Sequence, residues 1–323
     1  MNLLCRLPAT LIGVTATILI SQSPAVYARE AKSITVKSIT GQIDTYDRVD
    51  LSVQVASELS AAGETAEDFY NLGGQKYDKG DYQGAIEAYS RAIALNPNYT
   101  SAYNDRGNAR SASGDNKGAI ADYNAALKID PNYANAYYNR GIARSGSGDN
   151  QGAIADFDAA LKINPKYAEA YGNRGNARNR LGDKQGAIQD YNEVLKINPN
   201  DAKAYYNRGK TRYQLGDKQG ALADYNQVLN INPNDAAVYT SRGNVRDELG
   251  DQQGAIADYE KSLKINPNYA FAYLNRAITR SSLGDKQGEV ADLQKAADLF
   301  QQQGNKEMYQ EVLKIIKRIQ GTT

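Results

Sequence analysis

The sequence predicts an all-α protein made of about seven copies of a 34-residue helix-turn-helix unit, followed by a closing C-terminal helix. Six of the eight prolines follow one another at intervals of 34 residues: Pro97, Pro131, Pro165, Pro199, Pro233 and Pro267. Between successive prolines lie two amphipathic stretches of helical length, separated by Gly-Asp and closed in most copies by Asn-Pro. A content of 24 Tyr and 28 Gly with no Trp also indicates one short pattern copied many times.

The composition excludes several classes of function. The 323 residues include 38 Lys and Arg, 37 Asp and Glu, one Cys and no His. This balance of charge gives no support for binding to a phosphate backbone, so no nucleic-acid partner is predicted. Without His, and with Cys5 alone, disulfide frameworks, Cys/His zinc sites and imidazole bases are excluded. Paired carboxylates or a Ser-Lys pair remain as catalytic routes, and neither stands outside the repeat pattern. We therefore expect no enzymatic activity, cofactor, metal or small-molecule substrate.

Residues 1–28 have the features of a cleaved signal peptide. Arg6 and the amino terminus give a positive start, residues 7–20 are largely apolar, and Val26-Tyr27-Ala28 offers a small-residue cleavage site. The apolar run is shorter than the roughly 20 residues that cross a bilayer. The sequence thus predicts export to a periplasm, a lumen or the extracellular space, and a mature chain with 37 basic and 37 acidic residues. The alternative is an uncleaved segment that anchors the protein in a membrane.

Residues 29–65 carry no repeat signal. Residues 33–40, SITVKSIT, alternate like a strand, and residues 49–62 are weakly helical. We predict a flexible stalk that ends in a short helix covering the first repeat. A small partner-binding strand is the alternative.

Small and turn-forming residues recur at fixed positions in residues 66–303. A glycine in the middle of a helix costs about 1 kcal/mol relative to Ala, so we expect a neighbouring helix to approach closely there. A second glycine is expected to end each first helix in the left-handed conformation, and the Asp after it to cap the second helix. The mid-helix glycines are Gly73, Gly107, Gly141, Gly175, Gly209 and Gly243. The expected small surface opposite them is Ala85, Ala119, Ala153, Ala187, Ala221 and Ala255. Aromatic residues in both helices are predicted to fill the core.

This order of aromatic, Gly, Gly-Asp, Ala, aromatic and Pro within a 34-residue period resembles the tetratricopeptide repeat family. The match covers residues 66–303, about four-fifths of the mature chain. The resemblance implies a right-handed superhelical solenoid. It also implies that the first helix of each pair lines a concave groove, which binds extended peptides or helices of partner proteins.

The seventh copy departs from the pattern, as the end of an array should, because a terminal repeat must hide its apolar face. Glu289 replaces the small Ala, Leu293 the aromatic residue and Gln301 the Pro. Because the proline is lost, we predict that the second helix of the seventh copy continues to about Gln302. Residues 304–323 then form a capping helix, whose apolar side carries Met308, Val312, Ile315, Ile316 and Ile319. A helix lying on a membrane surface is the alternative interpretation.

Six of the seven copies carry two arginines four residues apart in the first helix and an Asp in the second. Like charges at this spacing repel by about 0.2 to 0.5 kcal/mol, so a neutralising partner is expected. The first copy has neither feature, with Leu72, Lys76 and Ala88 instead. We therefore predict an Arg-Asp ladder paired inside each repeat. The ladder has two Arg per Asp. Its alternative role is therefore to offer the surplus positive charge to an acidic partner. The residues are Arg106, Arg110 and Asp122; Arg140, Arg144 and Asp156; Arg174, Arg178 and Asp190; Arg208, Arg212 and Asp224; Arg242, Arg246 and Asp258; Arg276, Arg280 and Asp292.

Asparagine recurs in the first helices although it is a poor residue inside a helix. In arrays similar to this one, an inward-facing asparagine row holds the main chain of an extended peptide, since an amide both donates and accepts hydrogen bonds. The candidate groove residues are Asn71, Asp105, Asn108, Asn139, Asn173, Asn176, Asn207, Asn244 and Asn275, with Lys203 and Lys210, while Ser241 takes the place of Asn in the sixth copy. A solvated polar face is the alternative. The family's clamp for a C-terminal carboxylate also needs Arg beside Lys and Asn, so that specificity is not predicted.

The predicted function is an exported scaffold or adaptor that binds another protein or a peptide and performs no chemistry. One alternative is a structural module that associates with itself, through the first repeat or the C-terminal helix. The other is an assembly factor for membrane or envelope complexes, as some similar proteins are.

Overall fold

The structure is a computed structural model that describes residues 63–321, where it contains 15 α-helices and no strand. The predicted signal peptide and nearly all of the predicted stalk lie outside the described residues. The first helices of the seven repeats are α1 (Ala66–Asp78), α3 (Thr100–Ala112), α5 (Ala134–Gly146), α7 (Ala168–Arg180), α9 (Ala202–Gln214), α11 (Ala236–Glu248) and α13 (Ala270–Ser282). The second helices are α2 (Tyr82–Leu95), α4 (Asn116–Ile129), α6 (Asn150–Ile163), α8 (Lys184–Ile197), α10 (Lys218–Ile231), α12 (Gln252–Ile265) and α14 (Lys286–Gln302). Helix α15 (Lys306–Ile319) follows the seventh repeat.

The helices stack into the right-handed solenoid that the sequence predicts, and the fold prediction is confirmed. Each helix packs mainly on the helices before and after it in the chain. First helices of adjacent repeats also approach one another, whereas among the described helices the second helices of adjacent repeats lie farther apart. The first helices therefore form the inner, concave layer, and the second helices form the outer layer.

The turn inside each repeat has the predicted chemistry. In the fourth repeat Gly182 has φ +87°, a conformation that favours glycine. The N–H of the next residue, Asp183, donates to the carbonyl oxygen of Arg178 at 2.9 Å. The Asp183 carboxylate then accepts the N–H of Gly186 at 2.9 Å and caps α8. The equivalent glycines in all seven repeats have φ between +76° and +91°.

The core of each of the first six repeats is built around one ring from the second helix, and Leu293 takes that position in the seventh. Tyr123, Phe157, Tyr191 and Tyr259 are at most 2% exposed. These rings, and not the alanines that the sequence analysis expected, are the closest neighbours of the mid-helix glycines. A Cβ atom on Gly107 would lie 2.6 Å from Cε1 of Tyr123. The alanines are buried as well, but the glycine is needed to leave room for the ring.

The C-terminal end is closed by α15. Val312 and Ile316 of this helix pack against Phe300 and Leu293 of α14 in one buried cluster. Helix α14 has 17 residues where the other second helices have 14, in keeping with the loss of the proline at Gln301. None of the helices in residues 63–321 combines the length and the apolar character needed to cross a bilayer.

Candidate functional site

Charged side chains fill the space between the two helices of repeats two to seven. In the fourth repeat Asp190, which is 1% exposed, accepts hydrogen bonds from Nε and Nη2 of Arg174 at 3.0 and 2.5 Å. It accepts a further bond from Nη1 of Arg178 at 2.9 Å. Equivalent contacts join the predicted residues of all six repeats, at 2.5 to 2.7 Å for the first arginine and 2.8 to 3.1 Å for the second. The structure therefore brings each predicted set together inside its own repeat.

The second arginine of each repeat has another acidic partner that the sequence analysis did not count. Nε of Arg178 lies 3.8 Å from the carboxylate of Asp183, the residue that caps α8. The equivalent distances in the six repeats are 3.5 to 4.0 Å. Two arginines thus face two aspartates in each of these six repeats. The second of these aspartates is about half exposed, so the role of the arginine surplus towards an acidic partner stays a prediction.

The first arginine also reaches the repeat before it. Nη1 of Arg174 donates to Asp158 of α6 at 2.5 Å, and its guanidinium lies over the ring of Tyr171, 5.2 Å from the ring centre. The same nitrogen in other repeats donates to Ser90, Asn124, Asn192 and Asn226 at 2.5 to 3.0 Å. The ladder therefore links second helices of adjacent repeats, as well as the two helices of one repeat.

Burial and the neighbouring charges shift the pKa values of Arg174 and Asp190 in opposite directions. Burial lowers the pKa of Arg174, but hydrogen bonds and charge from Asp190 and Asp158 outweigh burial and leave the pKa above its ordinary value. Burial raises the pKa of Asp190, while the hydrogen bonds and charges of Arg174 and Arg178 oppose that rise. Removing one partner would leave the other charge poorly solvated, which is the costly outcome for a buried ion pair.

The predicted asparagine row forms a chain of contacts along the inner layer. Nδ2 of Asn139 donates to Oδ1 of Asn104 at 3.0 Å, and Nδ2 of Asn173 donates to the hydroxyl of Tyr138 at 3.0 Å. In each case the acceptor belongs to the first helix of the preceding repeat. Farther along, Asn207 donates to Asn176 at 3.2 Å and Asn275 donates to Asn244 at 2.8 Å. The row thus lies where adjacent first helices meet.

Three members of this row, Asn71, Asp105 and Ser241, differ from the others. Asn71 in α1 is exposed. Asp105 accepts hydrogen bonds from the hydroxyl of Tyr70 at 2.6 Å and from Asn104 and Asn108 at 2.9 and 3.2 Å. Ser241, which replaces Asn in the sixth repeat, donates to the carbonyl oxygen of Ala237 in its own helix. Within the described residues, Asn71 and Ser241 therefore take no part in the hydrogen bonds between repeats, whereas Asp105 joins the second repeat to the first through Tyr70.

A second set of asparagines satisfies buried tyrosine hydroxyls. Oδ1 of Asn108, Asn176 and Asn244 accepts the hydroxyl of Tyr123, Tyr191 and Tyr259, at 2.9, 2.8 and 2.9 Å. In the third repeat Ile142 stands in place of this asparagine, and the ring opposite is Phe157, which has no hydroxyl. This paired change was a signal in the sequence that the pattern analysis missed.

The bridging amides keep capacity for a ligand. Within residues 63–321 the side chains of Asn139, Asn173 and Asn207 each make one hydrogen bond, through one N–H. The carbonyl oxygen and the second N–H of each remain to bind a peptide group. Lys203 and Lys210 lie exposed on α9.

Sequence reasoning missed the residues that precede the row by one position. Asn104, which is 4% exposed, and the partly buried Tyr70 and Tyr138 are hydrogen-bond partners of the next repeat. At this position a tyrosine recurs in every second repeat, as Tyr70, Tyr138 and Tyr206, and a search for identity at every 34 residues overlooks this signal.

Across residues 63–321, Asp and Glu do not gather into a group of three or more that could hold a metal ion. The arrangement is suited to binding a polar chain.

Models of tetratricopeptide repeats match the chain over most of its length. Models described as TPR repeat match residues 73–114, 107–146, 147–182 and 175–216. Models described as tetratricopeptide repeat match residues 202–235, 236–269 and 258–291. Comparison with curated proteins gives no match.

Several solved structures share the fold. A tetratricopeptide repeat protein from Parabacteroides merdae is 24% identical, with 78% of this chain and 98% of that chain covered and a TM-score of 0.56. PilF from Pseudomonas aeruginosa is 18% identical, with 66% and 95% covered and a TM-score of 0.55. YrrB, described as a TPR protein with an unusual peptide-binding site, is 23% identical, with 58% and 96% covered and a TM-score of 0.52. At these identities the likeness shows the fold alone.

Proposed function

Because the chain belongs to the tetratricopeptide repeat family, we propose that it is a non-enzymatic scaffold which binds an extended segment of another protein along its first helices. Arrays of this family serve as protein-interaction scaffolds. The observation that carries the proposal is the inner row of Asn139, Asn173 and Asn207, which repeats once per helix pair and keeps a free carbonyl oxygen and a free N–H at each position among the described contacts. YrrB adds only that a protein of similar fold has a peptide-binding site.

The geometry fits a main chain better than a compact ligand. The N–H and C=O groups of an extended strand lose hydrogen bonds to water when the strand binds, and they need protein partners instead. Free polar atoms on successive helices can supply those partners. Charge contributes little along the row, because the arginines beneath it face aspartates inside each repeat. The proposed partner is therefore a polar, extended segment recognised mainly through its backbone.

The test compares two triple variants in a pulldown from the native host, followed by calorimetry with the captured segment. Asn139→Ala, Asn173→Ala and Asn207→Ala together remove the inner amides. The matched control replaces Asn124, Asn192 and Asn226 by Ala, which removes three amides that accept from arginines of the following repeats on the second helices.

We expect the inner variant to lose affinity and the outer variant to keep it. Each lost hydrogen bond between repeats lowers the free energy of unfolding by about 1 kcal/mol. Each change of Asn to Ala inside a helix raises it by about 0.5 kcal/mol, because Ala has the higher helix propensity. Both variants should therefore remain folded with similar stability. Equal affinity of the two variants would place the binding surface elsewhere. Capture of the chain alone, together with a defined oligomer by light scattering, would favour the self-association alternative.

We also propose that residues 1–28 direct export and are then removed. The support is the sequence pattern of a positive start, an apolar run and a small-residue site ending at Ala28. The amino-terminal sequence of the protein purified from its host tests this. We expect it to begin at Arg29, and an intact Met1 in a membrane fraction would establish the anchor instead.

A further inference from the structure

We propose that a pocket at the C-terminal end of the inner layer holds a lysine side chain of the bound partner. The proposal rests on the proposed function, because it assigns an anchor to the same binding surface. The pocket has a volume of about 210 Å³. It is lined by Ala277, Ile278, Ser281 and Ser282 of α13, Glu289 and Leu293 of α14, and Ile315 of α15.

One wall of the pocket belongs to the inner layer, because Ile278 lies on α13. Ile278 occupies in the seventh repeat the position that Asn108, Asn176 and Asn244 occupy in repeats two, four and six. A segment bound along the first helices towards the C-terminal end would therefore pass close to this wall of the pocket.

Helix lengths explain why there is a space here. In earlier repeats a second helix of 14 residues is followed by a first helix that packs along it. Helix α14 has 17 residues, so α15 begins about 4.5 Å farther from the turn of the seventh repeat, at 1.5 Å per residue. With its 14 residues, α15 is shorter than the helix that it covers. The region around Glu289 in the first turn of α14 is thus left partly uncovered.

Glu289 is the unusual residue of this pocket. The other six repeats have alanine at this position, and Ala85, Ala119, Ala153, Ala187, Ala221 and Ala255 are all 0% exposed. Glu289 is 8% exposed. In the part of the chain that the structure describes, no hydrogen bond or ion pair reaches its carboxylate. Among the described residues, the side-chain atoms that are buried without any partner are Asn179 Oδ1 and Asp247 Oδ1, so the Glu289 carboxylate oxygens are open to the pocket. A carboxylate that faces a pocket and has no protein donor can accept hydrogen bonds from a ligand.

The walls fit an alkylammonium group. Ile278, Leu293 and Ile315 offer apolar surface for the methylene stem of a lysine, which buries its stem and keeps its charged end with polar groups. The ammonium has three donors, and the Glu289 carboxylate with the hydroxyls of Ser281 and Ser282 offers acceptors of matching charge and number. Charge complementarity therefore selects a cationic side chain over an acidic or neutral one.

The probe for the test is n-butylammonium chloride, which reproduces the end of a lysine side chain. It is titrated into the purified full chain while methyl signals of Ile278 and Ile315 are followed by nuclear magnetic resonance, with n-butanol as the neutral comparison. We expect saturable shifts of both methyl signals with n-butylammonium. Glu289→Gln should weaken this binding by at least about tenfold, the effect of losing one charge-assisted hydrogen bond.

Two further variants keep the test decisive. Glu289→Ala restores the residue of the other six repeats, so it should fold, have a higher Tm and lose the response to the probe. Glu307→Gln on the exposed side of α15 removes a carboxylate outside the pocket, and it should bind the probe as the unmodified chain does. Equal binding of n-butanol and n-butylammonium, or unchanged binding by Glu289→Gln, would overturn the proposal. Because no partner protein is used, that failure would leave the groove proposal standing, whereas failure of the asparagine experiment would leave this result unaffected.

Discussion

A Cβ atom on Gly175 would lie 2.9 Å from Cε1 of Tyr191 and 3.2 Å from Cβ of Asp190. Real Cβ atoms do not approach a ring this closely, so the two helices of the fourth repeat can pack at their present distance only without a side chain at residue 175. The same contact places Tyr191 where its hydroxyl reaches Asn176. One glycine thus controls both the packing of the repeat and the position of an inner-face amide.

Gly175→Ala should destabilise the protein although alanine favours helix. Overpacking costs about 1 to 3 kcal/mol, while the gain in helix propensity is about 1 kcal/mol. Gly172→Ala in the same helix is the matched control, because its Cβ would lie 3.7 Å from Val194, an ordinary contact. We expect Gly172→Ala to stabilise by up to about 1 kcal/mol. Urea unfolding followed by circular dichroism measures both, and a stabilising Gly175→Ala would show that the helices can separate freely.

Asp190→Ala should be much more harmful than Asp158→Ala, although both remove a carboxylate that binds Arg174. Asp190 accepts from Arg174 and Arg178 in a buried position, so its loss leaves two poorly solvated guanidinium groups and costs about 3 kcal/mol. The side chain of Asp158 is 51% exposed, and its loss should cost less than about 1 kcal/mol. The free energies of unfolding of the two variants provide the measurement. Equal effects would mean that losing the buried carboxylate of the ladder is no more destabilising than losing an exposed one.

The sequence was sufficient for the fold because each repeat carries its own turn and cap, and the first six also carry the buried ring of the second helix. It was also sufficient for the Arg174 and Asp190 pair, whose presence and absence match within a copy. The contact of Arg178 with Asp183 was missed, because a capping role already accounted for that aspartate and the approach depends on the shape of the turn. Contacts between repeats, such as Asn139 with Asn104, depend on how adjacent first helices are aligned, and a pattern with a 34-residue period does not specify that alignment.

Alkaline pH should unfold the protein in step with ionisation of its buried tyrosines. Burial, with a smaller contribution from the charge of Asp190, raises the pKa of Tyr191 to about 12. An exposed tyrosine in the unfolded chain has a pKa of about 10. Since the folded state holds the proton more tightly, this stabilisation is fully present below pH 10 and is lost as the pH rises towards 12. The tyrosinate absorbance of the buried rings, such as the part that Tyr191→Phe removes, should therefore change together with the helical ellipticity over this range. Ionisation of Tyr191 without loss of helix would contradict the prediction.

Removing residues 304–323 should destabilise the array at its C-terminal end. This deletion uncovers Leu293 and Phe300, which are at most 1% exposed beneath α15, and water would then contact an apolar surface that the preceding repeats cover with their neighbours. Because a deletion also shortens the chain, a point variant separates covering from length. Val312 is 0% exposed.

Val312→Ala should lower the free energy of unfolding by about 2 kcal/mol, since it removes buried methyl groups and leaves a cavity. Lys314→Ala, two residues away with a side chain that is 68% exposed, should change it by less than about 0.5 kcal/mol. Urea unfolding of both variants beside the deletion gives the comparison. If the deletion and Val312→Ala both left the transition of the intact chain unchanged, α15 would not stabilise the seventh repeat, and its apolar side would be available to another surface.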